Sequence, residues 1–439
     1  MTPPKSEKII RDPIHGDIPL DVEHEIPLLD TPEMQRLRGI KQLGTAHLVY
    51  PSAVHTRFEH SLGTCFVAQR IIETIEGQQR KSLFSDEEKH VARAAALLHD
   101  VSHIPFGHTF EDERQIFDRH DTPDRIAYFL NTGTVAKVLR DMGISAQVTD
   151  VLHRTGSNPA LSEIINGTIC ADLLDYLARD GYFCGISHGY DQRIFRYFRI
   201  QNGVFFLDAQ KEGIIREDVL SEIINLLRLR YFMSERVYFH HAKTASGAMI
   251  SKAVEIGVKN GLTKGDLFPL RDEGLLSLLS IKFGKLKTIQ MLLELLMTRK
   301  LYKRCYILTR RLGPQKQQDL ISRYHRNIHL REEAEDFLTK KLRLREGELI
   351  IYCPSSDMAL KEANVMVKID SSPPRMLSTL KIPEIEVLME KHRDLWKFYV
   401  FIAPGLTEKM KMISRACEEY FCESNHLPAL ESGQLFFGF

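Results

Sequence analysis

No apolar run in this chain approaches the roughly 20 residues that a bilayer-spanning helix needs, and the opening MTPPKSEKIIRDPIHGD has no apolar segment of the secretory kind. No sign of charge dominates either: 59 Lys plus Arg stand against 58 Asp plus Glu, a net charge of +1. That balance gives no global electrostatic reason to coat nucleic acid or an anionic membrane, although local basic pockets for phosphate remain compatible with it. There is no C-x-x-C pair. The seven cysteines (Cys65, Cys170, Cys184, Cys305, Cys353, Cys417 and Cys422) are odd in number and scattered, which disfavours a disulfide framework or a structural zinc site and predicts reduced thiols. The expectation is a cytoplasmic protein with no membrane partner, for which nucleic acid is not the main partner.

What is present is ordinary globular composition, 43% hydrophobic and 27% charged over 439 residues, enough for more than one packed unit. From about residue 31 to about 308 the pattern is mostly helical. Ser85 and Glu88 form a capping box before Val91, Ala94, Ala95 and Leu98, which recur on one helical face. Residues 61–75 and 161–177 repeat this periodicity, and 221–251 predicts one long helix or two consecutive ones. Asn202-Gly203 between two β-friendly runs predicts a hairpin. After about 310 the character shifts: 349–353, 365–369 and 398–402 read as strands and 408–420 as a helix. The fold expected is mainly α, a helical bundle core over 1–310 with a smaller C-terminal α+β accessory region over 311–439.

The string LLHDVSHIPFGHTFE (97–111) places His99 and Asp100 side by side at the end of an apolar-faced helix. Adjacent residues point about 100° apart on a continuing helix, so both reach one ion most easily at its end. Imidazole with carboxylate suits a divalent cation. Two ligands do not close a site. His60 in HTRFEHSLGT and Asp172 in TICADLLDYLARD are the further candidates, the latter a carboxylate beside a core-facing stripe, costly unless paired or coordinated. A lone His-Asp pair means little, and His60 or Asp172 alone would more often be a helix-end histidine and a salt-bridged acid; the ordered combination is what carries the metal reading.

Asp172, Tyr176 and Asp180 follow i, i+4, i+8, a polar stripe about 12 Å long that could span a nucleotide from phosphate to sugar, or be a solvated helix face. His103, His108, Glu111 and His120 follow the His-Asp pair as acid/base candidates, with helix caps as the plainer alternative for His103 and His108. Arg57, three residues before His60, can clamp phosphate. Arg230 and Tyr238, eight apart, could add phosphate and base contacts or be ordinary helix-surface residues.

With DPIHGDIPL, DTPEMQRLRGIKQLG, RFEHSLG, LLHDVSHIPFGHTF, ADLLDYLARD and MTRKLYKRCY in order, the chain from about 8 to about 306 resembles the HD-domain dNTP triphosphohydrolases, a family including bacterial dGTPase-like proteins and the vertebrate SAM-and-HD-domain enzyme. The resemblance implies an HD-domain helical core with one divalent ion (manganese, magnesium, iron, zinc or nickel) on His60, His99, Asp100 and Asp172. It implies acid/base roles among His103, His108, Glu111 and His120, chiefly His108 and His120. Arg57 matches an α-phosphate contact, Gln42 and Asp180 match contacts to the sugar 3′-hydroxyl, Tyr176 matches a ring packed on deoxyribose, and Arg230 and Tyr238 match phosphate and base contacts. The implied reaction is metal-assisted attack of water on the α-phosphorus of a deoxynucleotide, releasing deoxynucleoside and triphosphate. Lys8, Asp30, Gln35 and Arg38 resemble positions that hold a guanine-nucleotide effector at subunit contacts, implying a homo-oligomer (dimer or tetramer). Two departures remove cationic donors to a polyphosphate tail: Leu173 stands where many members have lysine, and Ser234 where they have histidine. The alternatives are an HD phosphohydrolase of another phosphoester and a non-catalytic nucleotide-binding regulator.

Overall fold

A computed structural model describes residues 7–355 and 358–432. Its centre is a long helix, α1 (Arg57–Gln79), packed against α2 (Asp86–Leu98) and, across a small-residue face, against a later helix. The capping box predicted for α2 is formed: the Ser85 amide donates to Glu88 Oε2 at 2.9 Å and the Glu88 amide to Ser85 Oγ at 3.1 Å, a device worth about 1 kcal/mol. α1 begins four residues earlier than the apolar periodicity suggests, so Arg57 and His60 both lie in its first turn.

The helix expected over 161–177 is two. α3 (Pro159–Asn166) stops at Gly167, whose extended backbone lies so close to Glu163 that a Cβ there would sit 2.2 Å from its carbonyl oxygen. The chain then turns and starts α4 (Ala171–Phe183). Because of this break Asp172 sits in the first turn of a new helix that lies against α1. The segment 221–251 is likewise divided, into α5 (Glu217–Met233) and α6 (His241–Lys259), joined by a π turn over Ser234–Tyr238.

Strands are short. β1 (Glu7–Asp12) and β2 (Gly16–Asp21) form an antiparallel hairpin. β3 (Phe198–Gln201) and β4 (Val204–Asp208) form the second, turning through Asn202 and Gly203, both at positive φ, as an Asn-Gly turn of the primed type requires. Further on, β5 (Lys303–Thr309), β6 (Leu349–Tyr352), β7 (Met366–Lys368) and β8 (Lys397–Ile402) appear. β8 is the middle strand of an antiparallel sheet in the order β5-β8-β6, and β7 pairs in parallel with β4. α7 (Pro383–Arg393) lies against α5, and α8 (Met410–Phe421) covers β5.

Two apolar cores result, and they interlock. One gathers α1 to α5 together with Leu360, Ala363, Val365, Val367, Leu377, Ile385 and Leu388 from the C-terminal part. The other gathers α6 and the β5-β8-β6 sheet together with Ile104, Phe106 and Phe110, from the loop that follows the His-Asp pair. A buried ion network also crosses the junction, with Arg114 on Glu255 at 2.6 Å and Lys252 on Glu335 at 2.6 Å. The C-terminal part therefore packs directly behind and beside the predicted site. No helix among the described residues is long and apolar enough to cross a membrane.

Candidate metal centre and adjoining pocket

His99 and Asp100 stand at the C-terminal end of α2, as the helix-end argument requires. The first turns of α1 and α4 bring His60 and Asp172 to them. His60 Nε2 lies 3.1 Å from His99 Nε2 and 3.0 Å from Asp172 Oδ1; His99 Nε2 lies 3.7 Å from Asp172 Oδ1 and 3.6 Å from Asp100 Oδ1; Asp100 Oδ2 is 3.9 Å from His60 Nε2. Metal–ligand bonds of about 2.1 Å put neighbouring donors about 3.0 to 3.4 Å apart in octahedral or tetrahedral shells. His60, His99 and Asp172 therefore fit a single divalent ion by donor chemistry and by spacing, and Asp100, a donor of the right chemistry, stands 3.6 to 3.9 Å from the two imidazoles. The His60–His99–Asp172 group satisfies the mutual proximity such a site demands.

Both histidines are oriented from behind. His99 Nδ1 lies 2.7 Å from the Ala96 carbonyl, so Nδ1 carries the proton and Nε2 faces the cluster. His60 Nδ1 lies 2.7 Å from Asp175 Oδ2. Asp175, fully buried, also accepts from Arg179 Nε and Nη2, both at 2.9 Å, and from His15 Nε2 at 2.6 Å, while Arg179 Nη1 donates to Asp12 Oδ2 at 2.7 Å. Such carboxylate–histidine arrangements fix the ring and raise ligand basicity. Gly63 makes room for it, since a Cβ there would lie 1.8 Å from Asp175 Oδ1. Burial opposes charge on His60, but hydrogen bonding to Asp172 and Asp175 pushes its pKa up to about 10. Burial would raise Asp100; the Arg57 guanidinium, 2.7 Å away, and His99 and His103 hold it well below the usual carboxylate range.

On one side of this cluster the expected ionisable group assembles. His103 is buried, its Nε2 3.2 Å from Asp100 Oδ1, and its ring stacks on His120 at 3.6 Å between centroids. Burial, with Arg57 and His120 nearby, holds it well below the ordinary histidine pKa. Glu111, on a π turn over Thr109–Glu113, accepts from Arg125 Nη2 at 2.9 Å and lies 3.1 Å from His120 Nδ1. His108, half-exposed, is 2.8 Å from Asp112 Oδ2 and 3.9 Å from Glu111. Gly107, at φ +40, lets the backbone close over Arg57, with Arg57 Nη2 2.9 Å from where a Cβ would be.

On the other side runs the α4 stripe. Asp180 Oδ1 lies 2.8 Å from His55 Nε2, and Oδ2 accepts from the Tyr238 hydroxyl at 2.7 Å. Arg230 sits 5.8 Å from the Tyr176 ring and 5.0 Å from the Tyr238 ring; the π turn after α5 brings Tyr238 back over it. Gln42, whose amide donates to the His55 carbonyl, keeps a buried Oε1 without a partner, as does Arg57 its Nε. Unpartnered buried polar atoms of this kind call for a partner such as water, an ion or a ligand. Leu173, by contrast, points into the core.

The positions matched to an effector site have contacts of their own. Gln35 and Arg38 pair at 2.8 Å, with Arg38 over the Phe58 ring; Asp30 ends the short helix Glu25–Leu29, and Lys8 is exposed on β1. Residues absent from the sequence reading are Asp175, His15, Arg179, His55 and Arg125. Asp175, one turn after Asp172, and His15, inside DPIHGD, carried a sequence signal; His55 and Arg125 had none.

Two family models match in sequence order: an HD domain over residues 57–180 and an HD associated region over residues 208–422. An uncharacterized protein of Methanocaldococcus jannaschii is 37% identical over 279 residues, covering 62% of this chain and 55% of its own length. A Dictyostelium discoideum protein named deoxynucleoside triphosphate triphosphohydrolase SAMHD1 homolog is 29% identical over 282 residues, covering 60% of this chain and 50% of its own length. The chain thus spans about half the length of the curated relatives it matches. In structure it is similar to a hypothetical protein from Aquifex aeolicus, with a TM-score of 0.68 and 24% identity over 93% of this chain and 100% of the other, a likeness of fold. With the matched HD domain enclosing His60, His99, Asp100 and Asp172 and the associated region folded against it, the chain belongs to the HD-domain family.

Proposed function

We propose that this HD phosphohydrolase is a metal-dependent deoxynucleoside triphosphate triphosphohydrolase that cleaves its substrate to deoxynucleoside and triphosphate. The observation that carries the reading is the meeting of His60, His99 and Asp172 at 3.0 to 3.7 Å from one another, with Asp100 3.6 and 3.9 Å from the two imidazoles, between the acid/base cluster and the Tyr176–Asp180 stripe. A divalent ion on these four residues supplies Lewis-acid stabilisation of charge on a phosphoryl oxygen and activates water.

The chain's own groups do the rest. Asp180, held by His55 and Tyr238, accepts a hydrogen bond from the sugar 3′-hydroxyl, with Gln42 beside it, and Tyr176 packs on the sugar face where a 2′-hydroxyl would otherwise sit. Arg57 and Arg230 face the phosphates. His103, kept neutral, offers a nitrogen to orient water. His120, backed by Glu111 through the hydrogen bond at 3.1 Å, donates a proton to the departing 5′-oxygen, with His108 as the exposed partner that exchanges it with solvent. Lys8, Asp30, Gln35 and Arg38 would form a nucleotide-effector site between copies of the chain in a homo-oligomer.

The test is product identification from a panel of deoxy- and ribonucleotides with manganese or magnesium. Triphosphate and deoxynucleoside are expected; orthophosphate, pyrophosphate or no turnover would refute the assignment. A second reading, hydrolysis of a nucleotide with a shorter phosphate chain, is favoured by one observation: Leu173 is packed in the core and presents no cation to a polyphosphate tail.

A further inference from the structure

Each arginine of the pocket already has a carboxylate. Arg57 is held by Asp100, a metal-ligand candidate. Arg230 is held by a residue from elsewhere: its Nε donates to Glu362 Oε1 at 2.7 Å, from the short turn Lys361–Asn364 in the C-terminal part. Glu362 is 132 positions away in sequence and nearly buried. Beside it the position of the absent family histidine, Ser234, is filled by another distant group. His392, on α7, places Nε2 3.0 Å from Ser234 Oγ, and Ser234 Oγ in turn accepts from Arg230 Nη1 at 3.0 Å. His392 is itself fixed by the Met358 carbonyl at 2.7 Å. The C-terminal part thus caps the phosphate side of the pocket with one anion and one imidazole, both anchored on Arg230 or its neighbour.

We propose that Glu362 determines specificity at the phosphate end of the pocket: its carboxylate occupies the Nε edge of the Arg230 guanidinium, so a triphosphate tail gains that edge only by displacing it and is held less tightly than Arg230 alone would hold it. This rests on the reading of Arg230 as a phosphate contact. The physical basis is direct. A guanidinium in a partly desolvated pocket binds one anion per edge, and a fixed like charge opposes the incoming one with little solvent screening. Glutamine in place of Glu362 keeps an oxygen acceptor for Arg230 Nε and removes only the charge.

The test is calorimetric binding of α,β-imido-dGTP, dGMP and deoxyguanosine, in excess magnesium, to the full chain. In Glu362→Gln the analogue is expected to bind about tenfold tighter, deoxyguanosine unchanged, and the gain should vanish in the Arg230→Ala background. Unchanged or weaker analogue binding, equal tightening of the nucleoside, or a gain that persists without Arg230 would overturn the proposal, as would no detectable nucleotide binding by any form. Should Glu362→Gln not fold, the wild-type chain still decides: the analogue is expected to exceed dGMP in affinity by less than about tenfold, and a larger gain overturns the idea. Release of triphosphate from dGTP, measured separately, decides the functional reading independently, because binding discrimination at Arg230 stands or falls without turnover.

Discussion

Asp175→Asn isolates the support behind the metal centre. In the folded chain this carboxylate meets four donor contacts at 2.6 to 2.9 Å, from His60, His15 and two from Arg179. Asparagine keeps the shape but turns one oxygen into an amide NH2 that faces donors, and it leaves Asp12 as the remaining carboxylate on Arg179. Breaking a buried ion pair from one side destabilises by roughly 3–5 kcal/mol. Loss of the partner behind a metal-ligating histidine weakens metal binding about 10- to 100-fold. The assay is manganese titration of the folded variant by calorimetry, well below its unfolding transition, paired with thermal unfolding of the metal-free form. His15→Asn is the control: it removes one arm of the network and leaves the Asp175–His60 contact, so stability should fall while manganese affinity stays within a few-fold of wild type. Wild-type manganese affinity in folded Asp175→Asn would refute the argument and reduce Asp175 to a packing role.

Three further outcomes follow from the same geometry. Asp172→Ala removes a partly exposed candidate ligand, so metal content by elemental analysis should drop to background while the circular dichroism spectrum is retained; wild-type metal content would remove Asp172 from the site. Gly63→Ala pushes a methyl against the Asp175 carboxylate, whose partners prevent retreat, and overpacking of this kind costs about 1–3 kcal/mol. Thermal unfolding and manganese affinity should decline together, and an unperturbed variant would contradict the close approach of α1 and α4. Finally, hydrogen bonding to Asp172 and Asp175 pushes the His60 pKa up to about 10, which favours its protonated form at neutral pH without an ion. An ion must displace that proton, so binding should release about one proton and strengthen about tenfold per pH unit between 6.5 and 8.5. Calorimetry in buffers of different ionisation enthalpy measures it, and pH-independent binding would refute it. For the metal-free chain the sign runs the other way: a raised histidine pKa contributes stability that is full below about 6.5 and is lost as pH rises through about 10.

The sequence alone determined the parts that are local. Capping and 3.6-residue periodicity placed α2 and put His99 and Asp100 at its end. Asn-Gly placed the β3-β4 hairpin, short apolar runs placed β6 and β8, and i, i+4, i+8 spacing aligned Asp172, Tyr176 and Asp180. Ordered motifs then pointed to four ligands and a nucleotide pocket. Tertiary structure decided everything that depends on distant segments meeting. The break falls at Gly167, where a Cβ would clash with the Glu163 carbonyl, while the hydrophobic spacing continues, so periodicity ran through it. The Asp175–Arg179–Asp12–His15 network depends on a hairpin folding under α4, His392 reaches the pocket because α7 packs on α5, and Glu362 reaches it from the turn Lys361–Asn364. Hydrophobic patterning records which face of an element is buried; it carries no record of what is buried against it. For that reason the candidate ligands of this centre are legible in the chain, and groups such as His55, Glu362 and His392, which reach it from distant segments, are not.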